Sequence, residues 1–300
     1  MTTTVSDSPL TPVSWRTYLA LCKLKVVAAI VFTAVIGMFL AVPGLPPLAV
    51  AFWAALGIGL AAASAAALNH VYDREIDGKM QRTEARPLPQ ARIGPRQAQG
   101  FAAVLGVLSM AILTLLVNPL TALLTFLSLI GYAVIYTRYL KRVTVQNIVI
   151  GGAAGAAPPV LGWCAVTGTL DPHALLLFLL IFVWTPPHFW PLALAKKDEY
   201  KLAEMPMLPV IYGDELTKLH ILLYTILLLV VSLLPYLTGM SGLIYLLAAV
   251  TLGVGFLHYA IRLKRAPDNR LAMRTFGFSL VYLVGIFSAL LVDHYFRLVP

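Results

Sequence analysis

The chain has 300 residues, of which 60% are apolar and only 12% charged, and its mean hydropathy is +0.85. Soluble globular domains carry about 25% charged residues, so the composition excludes one and points to an all-α, polytopic membrane protein. The formal net charge of +9 raises nucleic acid as a partner, but the basic residues are placed as membrane topology requires, and no nucleic acid is expected.

The first fifteen residues, MTTTVSDSPLTPVSW, contain neither Lys nor Arg and no short apolar core ahead of a small-residue cleavage site. They read as a disordered cytoplasmic tail (1–15) rather than a signal or transit peptide, followed by one membrane domain, 16–300. Apolar stretches near the ~20 residues that cross a bilayer fall at 17–41, 47–71, 97–117, 119–138, 145–166, 173–195, 216–238, 241–261 and 274–296. Nine transmembrane helices in the lipid bilayer are therefore predicted. Arg16, Lys23 and Lys25 lie at the first span, six basic residues lie between Arg74 and Arg96, and further groups follow the fourth, sixth and eighth spans. Only Arg297 lies at the other side. The positive-inside rule then puts the amino terminus and these loops in the cytoplasm and the carboxyl terminus outside.

In the first span Lys25 is an expensive cation, roughly 2.5–3.5 kcal/mol at mid-bilayer on insertion scales. It must face a polar cavity or snorkel to the surface. Cys22 and Cys164 fall in spans without any CxxC or Cys/His spacing, and read as packing residues. The second span is rich in small residues, GIGLAAASAAALNH, which let neighbouring helices approach closely in a bundle interior. It ends in NHVYDREIDGKMQRTEARPLP, Asn69 to Pro89. Asn69, Asp73 and Asp77 recur at i, i+4 and i+8, so a helix puts all three on one face, roughly 6 Å apart along its axis. Such an oxygen-rich face suits Mg²⁺, which takes a few protein ligands and completes its shell with water and phosphate. Arg74, Lys79, Arg82 and Arg86 follow at once as candidate diphosphate ligands. An ordinary solvated helix end with paired charges is the bland alternative.

Spans three and four, joined at Asn118-Pro119, read as scaffold. A basic turn with Lys141 and Arg142 then leads into a fifth span that holds Asn147 and the pair Pro158-Pro159. The sixth, VWTPPHFWPLALA, is interrupted by Pro186, Pro187 and Pro191 and sets His188 among Trp184, Phe189 and Trp190. Freed carbonyls are tolerated in a membrane only where protein or a cavity satisfies them, so both spans are expected to kink or to wall a cavity. Lys197 and Asp198 follow the sixth span, so that it, like the second, delivers acids and bases to the cytoplasmic side. In the last three spans His258 and His294 read as interfacial, and Gly213-Asp214 as a turn into a helix. No Walker A motif and no GxGxxG is present, which removes nucleotide-driven pumping. A transporter is the rival of another class, but its sites lie at the midplane rather than at one face.

Two acidic helix ends above apolar walls describe a site for a polyprenyl diphosphate. The motif Asn69-x3-Asp73-x3-Asp77 with the later acid Asp198 resembles the intramembrane prenyltransferases of the UbiA superfamily. Within it, DREIDGKMQRTEARPLP (73–89), YTRYLKRVTVQNIVIGGAAGAAPP (136–159), WTPPHFWPLAL (184–194) and KKDEYKLAEMPMLP (196–209) are similar to the branch that farnesylates haem. The resemblance spans most of the chain. It implies a nine-helix bundle around a central cavity, Mg²⁺ bound by Asn69, Asp73, Asp77 and Asp198, and farnesyl diphosphate and haem B as substrates. Arg82, Arg86 and Lys197, with Arg74, Lys79, Lys141 and Arg142, would hold the diphosphate; His188, Trp184, Trp190 and Asn147 would meet the haem. It also implies a haem A synthase as recipient of the product. A quinone-precursor or chlorophyll-like acceptor stays open. Leu202 stands four residues beyond Asp198, where the superfamily often has a second acid, leaving Glu199 or Glu204 to assist.

Overall fold

The computed structural model describes residues 13–298; most of the expected tail lies outside them. All regular elements among the described residues are helical. The first predicted span is two helices, α1 (Trp15–Leu21) and α2 (Leu24–Leu40), bent by 54°. The break falls at Lys23, whose φ of 50° is left-handed, a conformation a non-glycine residue adopts only at a cost.

Helix α3 (Leu48–Gly78) has 31 residues. At ~1.5 Å per residue it is about 46 Å long against a hydrocarbon core of about 30 Å, so it has turns to spare for polar residues. A turn-rich loop (79–94) leads to α4 (Pro95–Leu116) and α5 (Pro119–Ile130), the latter capped by Asn118, whose Oδ1 accepts from the Thr121 amide at 2.8 Å. Helix α5 widens into a π-helix (Gly131–Leu140) and ends in one α turn, α6 (Lys141–Val143). The fifth predicted span is divided at its prolines into α7 (Asn147–Ala156) and α8 (Pro158–Thr167).

Helix α9 (Pro172–Ala195) is continuous through Pro186, Pro187 and Pro191, where the sequence reading expects an interruption. It runs through the bundle against α7 and the later helices 213–237 and 272–298, and packing on several sides keeps it helical despite the missing amide donors. Two short helices, α10 (Lys197–Leu202) and α11 (Leu208–Ile211), precede α12 (Gly213–Leu237), α13 (Leu243–Arg265) and α14 (Ala272–Leu298). Eight segments are long and apolar enough to cross a membrane, nine if the bent pair α1–α2 is one span. The protein is an integral membrane helical bundle.

Small residues and short polar bonds join the helices. Ser64 donates to the Ala102 carbonyl at 2.8 Å and Ser109 to the Gly57 carbonyl at 2.6 Å, stitching α3 to α4. Where α2 crosses α8, Gly37 lies on the Pro159 carbonyl and Gly162 on the Ala34 carbonyl, and a Cβ at either would collide with backbone. The two ends of the bundle are distinct. His294 and Tyr295, late in α14, bond the carbonyls of Val42 and Gly44 at 3.1 and 2.8 Å. The end of α14 therefore shares a face with the α2–α3 turn, opposite the acidic end of α3.

Candidate active site

The last turns of α3 bury Asn69, Asp73 and Asp77 to 4%, 1% and 4% exposure. Burying two carboxylates is costly unless each is paired and hydrogen-bonded, and each has its own cation from a different element. Lys141, at the end of the π-helix, donates to Asp73 Oδ2 at 2.5 Å, and Asn69 Nδ2 donates to the same oxygen at 2.8 Å. Arg86, from the 79–94 loop, donates to both Asp77 oxygens at 2.8 and 2.7 Å. That loop is itself tied down by Thr83, whose hydroxyl donates to the Asp77 carbonyl at 2.9 Å.

A third cation comes from the α1–α2 break, where Lys23 Nζ donates to Asn69 Oδ1 at 2.5 Å. Lys25, the cation singled out from the sequence, is exposed; the residue two places earlier is the one turned inward. Thr137 on the π-helix is within 3.5 Å of Asn69 Nδ2. His70 is buried to 2%, and neither ring nitrogen is hydrogen-bonded among the described residues. Asp73 Oδ1 is likewise buried without a partner among the described residues. An orphaned carboxylate oxygen beside a second carboxylate and an amide oxygen makes an all-oxygen donor set fit for a hard divalent cation. Among the described residues no three His, Cys, Asp or Glu side chains cluster to hold a metal, so this set needs further oxygens from a ligand, as phosphate-bound Mg²⁺ does.

The second acidic element differs from expectation. Asp198 is exposed, whereas Glu199 turns to the 79–94 loop, accepting from the Arg82 amide at 3.3 Å and from Lys196 Nζ at 2.9 Å. The Lys196 hydrogen bond, aided by the Arg82 amide and both charges, outweighs desolvation and holds the Glu199 carboxyl below its ordinary value. Lys197 turns away to Asp214 at 2.7 Å, an acid that also accepts from Asn269 at 2.8 Å. Lys79 is exposed at the end of α3. Arg74 lies on the other side of α3, 3.7 Å from Glu75, and Arg142 donates to the Tyr72 carbonyl at 2.8 Å. Of the expected diphosphate ligands the structure thus gathers Arg86 and Lys141, with Arg82 at the rim, and adds Lys23.

The expected haem group also divides. His188 stacks between Trp184 and Phe276, at centroid distances of 4.1 and 4.6 Å. Its Nδ1 lies 2.6 Å from Ser279 Oγ on α14, and Trp184 donates to the Ser279 carbonyl at 2.8 Å. Trp190 points elsewhere, edge-on to His220 and Tyr224 of α12. Asn147 is a fastener of the cytoplasmic turn, donating to the Thr144 carbonyl at 2.8 Å and to that of Pro206 at 3.4 Å.

An apolar cavity of about 410 Å³ opens between the π-helix, α7 and α8. Leu140 and Tyr136 stand at its wall near Lys141, and Leu170, Leu175 and Phe178 line it farther along. It is lateral, set in the side of the bundle.

Residues 30–286 match the UbiA prenyltransferase family. The chain is 71% identical to the protoheme IX farnesyltransferase of Methylococcus capsulatus, over 98% of this chain and 99% of that one. It is 60% identical to that of Alkalilimnicola ehrlichii, over 94% and 93%. Among solved structures, one of a digeranylgeranylglyceryl phosphate synthase superposes with a TM-score of 0.78 at 20% identity, covering 93% of this chain and 98% of that one. A UbiA homolog from Archaeoglobus fulgidus bound to DMAPP and Mg²⁺ gives 0.65 at 18%, covering 91% and 99%. At these identities the two structures speak for the fold, and the matched family and relatives for the lineage. The chain belongs to the UbiA prenyltransferase family and, within it, to the protoheme IX farnesyltransferases.

Proposed function

We propose that the chain transfers the farnesyl group of farnesyl diphosphate to a vinyl group of haem B with addition of water, giving haem O and diphosphate. The observation that carries the chemistry is Asp73, buried with one oxygen held by Lys141 and Asn69 and the other unpartnered, on the same helix face as Asp77. The acceptor follows from near full-length similarity to proteins named for protoheme IX.

Asn69, Asp73 and Asp77 would hold Mg²⁺, which supplies positive charge for the departing diphosphate. Glu199 is the acid of α10 closest to this mouth in its contacts, in place of Asp198. Lys23, Lys141 and Arg86 donate N–H bonds along the same face and complement the charge that grows on the leaving group. The C1–O bond of the farnesyl diphosphate breaks as its electron pair leaves with the diphosphate. The terminal vinyl carbon of haem B bonds to C1, water adds to the neighbouring vinyl carbon, and that water's proton goes to solvent. The lateral cavity is within the usual range for an apolar ligand site and would take the isoprenoid tail, its apolar wall limiting premature hydration.

His188 is the candidate haem contact. Its Nδ1 is fixed by Ser279, leaving Nε2 as the nitrogen for iron, the arrangement typical of a ligating histidine. The acidic face and its loops would be cytoplasmic, the end of α14 outside, and a haem A synthase is the class of enzyme that would consume the product.

The reading is tested with purified full-length protein, haem B and farnesyl diphosphate, with Mg²⁺ or EDTA, by mass spectrometry of extracted haem. A Mg²⁺-dependent gain equal to farnesyl plus water is expected. Unchanged haem with farnesyl diphosphate bound would overturn the acceptor and redirect the search to quinone precursors and chlorophyll-like acceptors.

A further inference from the structure

The side of α3 turned away from Asp73 borders a second cavity of about 360 Å³, lined by Tyr72, Arg74, Glu75, Gln99, Arg138 and Arg142. Three guanidinium groups and one carboxylate meet there. All three arginines are exposed, and their internal contacts leave most of their donors for a ligand. Among the described residues Arg74 pairs with Glu75 alone, at 3.7 Å, and that side chain is 75% exposed; such a pair contributes little. Arg142 spends one donor on the Tyr72 carbonyl, and Arg138 lies 6.0 Å from the Tyr72 ring and 5.6 Å from that of Tyr139. The amino end of α4, with Pro95 as its first residue, also lines the cavity. The positive end of this 22-residue helix dipole adds to the arginines.

The surroundings point to the source of the anion. Tyr139 and Val143, next to Arg138 and Arg142, are 56% and 79% exposed, and α4 beyond Gln99 exposes Val104, Val107 and Leu108. A cationic cleft at the polar end of these helices, continued by an apolar outer surface, has the polarity of a lipid: phosphate above, acyl chains below. Basic pockets between transmembrane helices on the cytoplasmic side recognise anionic headgroups in this way.

We propose that this cleft is a phosphate-binding site, occupied in the membrane by the headgroup of an anionic phospholipid, and that it is separate from the diphosphate site. Tyr72 precedes Asp73, and Arg142 follows Lys141. A headgroup that holds the first and last of these residues steadies the turn that presents Lys141 to Asp73.

The test is native mass spectrometry of the full-length, delipidated protein titrated with phosphatidylglycerol, phosphatidylcholine or inorganic phosphate. The variants are R74Q/R138Q/R142Q and, as a control that removes as many charges from the basic end of α13 and the turn after it, R262Q/R265Q/R270Q. The wild type is expected to bind phosphatidylglycerol in preference to phosphatidylcholine. The first variant should lose that binding at least tenfold, and the control should stay within twofold. Displacement of the lipid by inorganic phosphate would show that phosphate alone is recognised; failure to displace it would assign the site to lipid. Equal losses in the two variants, or no loss in the first, would overturn the proposal.

Discussion

At the scale of single residues, the site is an arrangement of buried charges in which every cation has a chosen oxygen. Lys23 adopts a left-handed backbone conformation and breaks a transmembrane segment, and its Nζ reaches Asn69 Oδ1 on the neighbouring α3. A charge-assisted hydrogen bond contributes roughly 1.5–3 kcal/mol. Replacing Lys23 by Met is therefore expected to lower turnover about ten- to a hundredfold at 1.4 kcal/mol per factor of ten. Lys25→Gln, a change at the exposed lysine, should alter it less than twofold; comparable losses in both variants, measured as initial rates, would contradict this assignment. Asn69, Asp73 and Asp77 were legible in the sequence because a helical period puts them on one face. Lys23 was not. Two lysines two places apart lie on different sides of a helix, and which one turns inward depends on a chain break that leaves no mark in composition. Asp198 and Glu199 pose the same difficulty, since adjacent acids on a short helix are told apart only by the loop that packs over one of them.

At the scale of elements, close backbone approach sets the geometry. The crossing of α2 over α8 places Gly162 against the Ala34 carbonyl and Gly37 against that of Pro159. Lys23 stands one residue before α2, the helix held at this crossing. Gly162→Ala inserts a methyl group where only backbone can yield, and overpacking of this kind costs about 1–3 kcal/mol. A lowered thermal midpoint in detergent is expected. Gly155→Ala, where an added Cβ meets nothing within 4 Å, should leave the midpoint unchanged or raised; an unchanged midpoint for Gly162→Ala would sink the argument. The apolar runs made the spans legible, and Pro158-Pro159 marked the one-residue lapse between α7 and α8, which still run on as a single span. Pro186, Pro187 and Pro191 marked none, because tertiary packing around α9 outweighs the local signal. The π-helix had no readable signature, although it carries Thr137 and sets Lys141 on Asp73.

At the scale of the whole molecule, charge is segregated by face and by side. The end of α14 and the α2–α3 turn share one face. The acidic end of α3, the 79–94 loop and α10 share the other, joined by the contact between Glu199 and the Arg82 amide. On that polar face α3 divides two charged regions, with the carboxylate and cation set on one side and the three-arginine cleft on the other. The excess of Lys and Arg, legible from the sequence as topology, could not be divided between these regions without knowing which way Arg74 and Arg142 turn. The lateral cavity adds an apolar compartment beside Leu140, next in sequence to Lys141. The proposed chemistry rests on the Asp73 face acting on the diphosphate. The most direct measurement is the rate of haem O formation by Asp73→Asn at saturating Mg²⁺, with the variant shown to be folded by its elution and thermal midpoint. Loss of at least about a hundredfold, the scale of removing a key electrostatic group, is the predicted result; a rate near that of the wild type would contradict it.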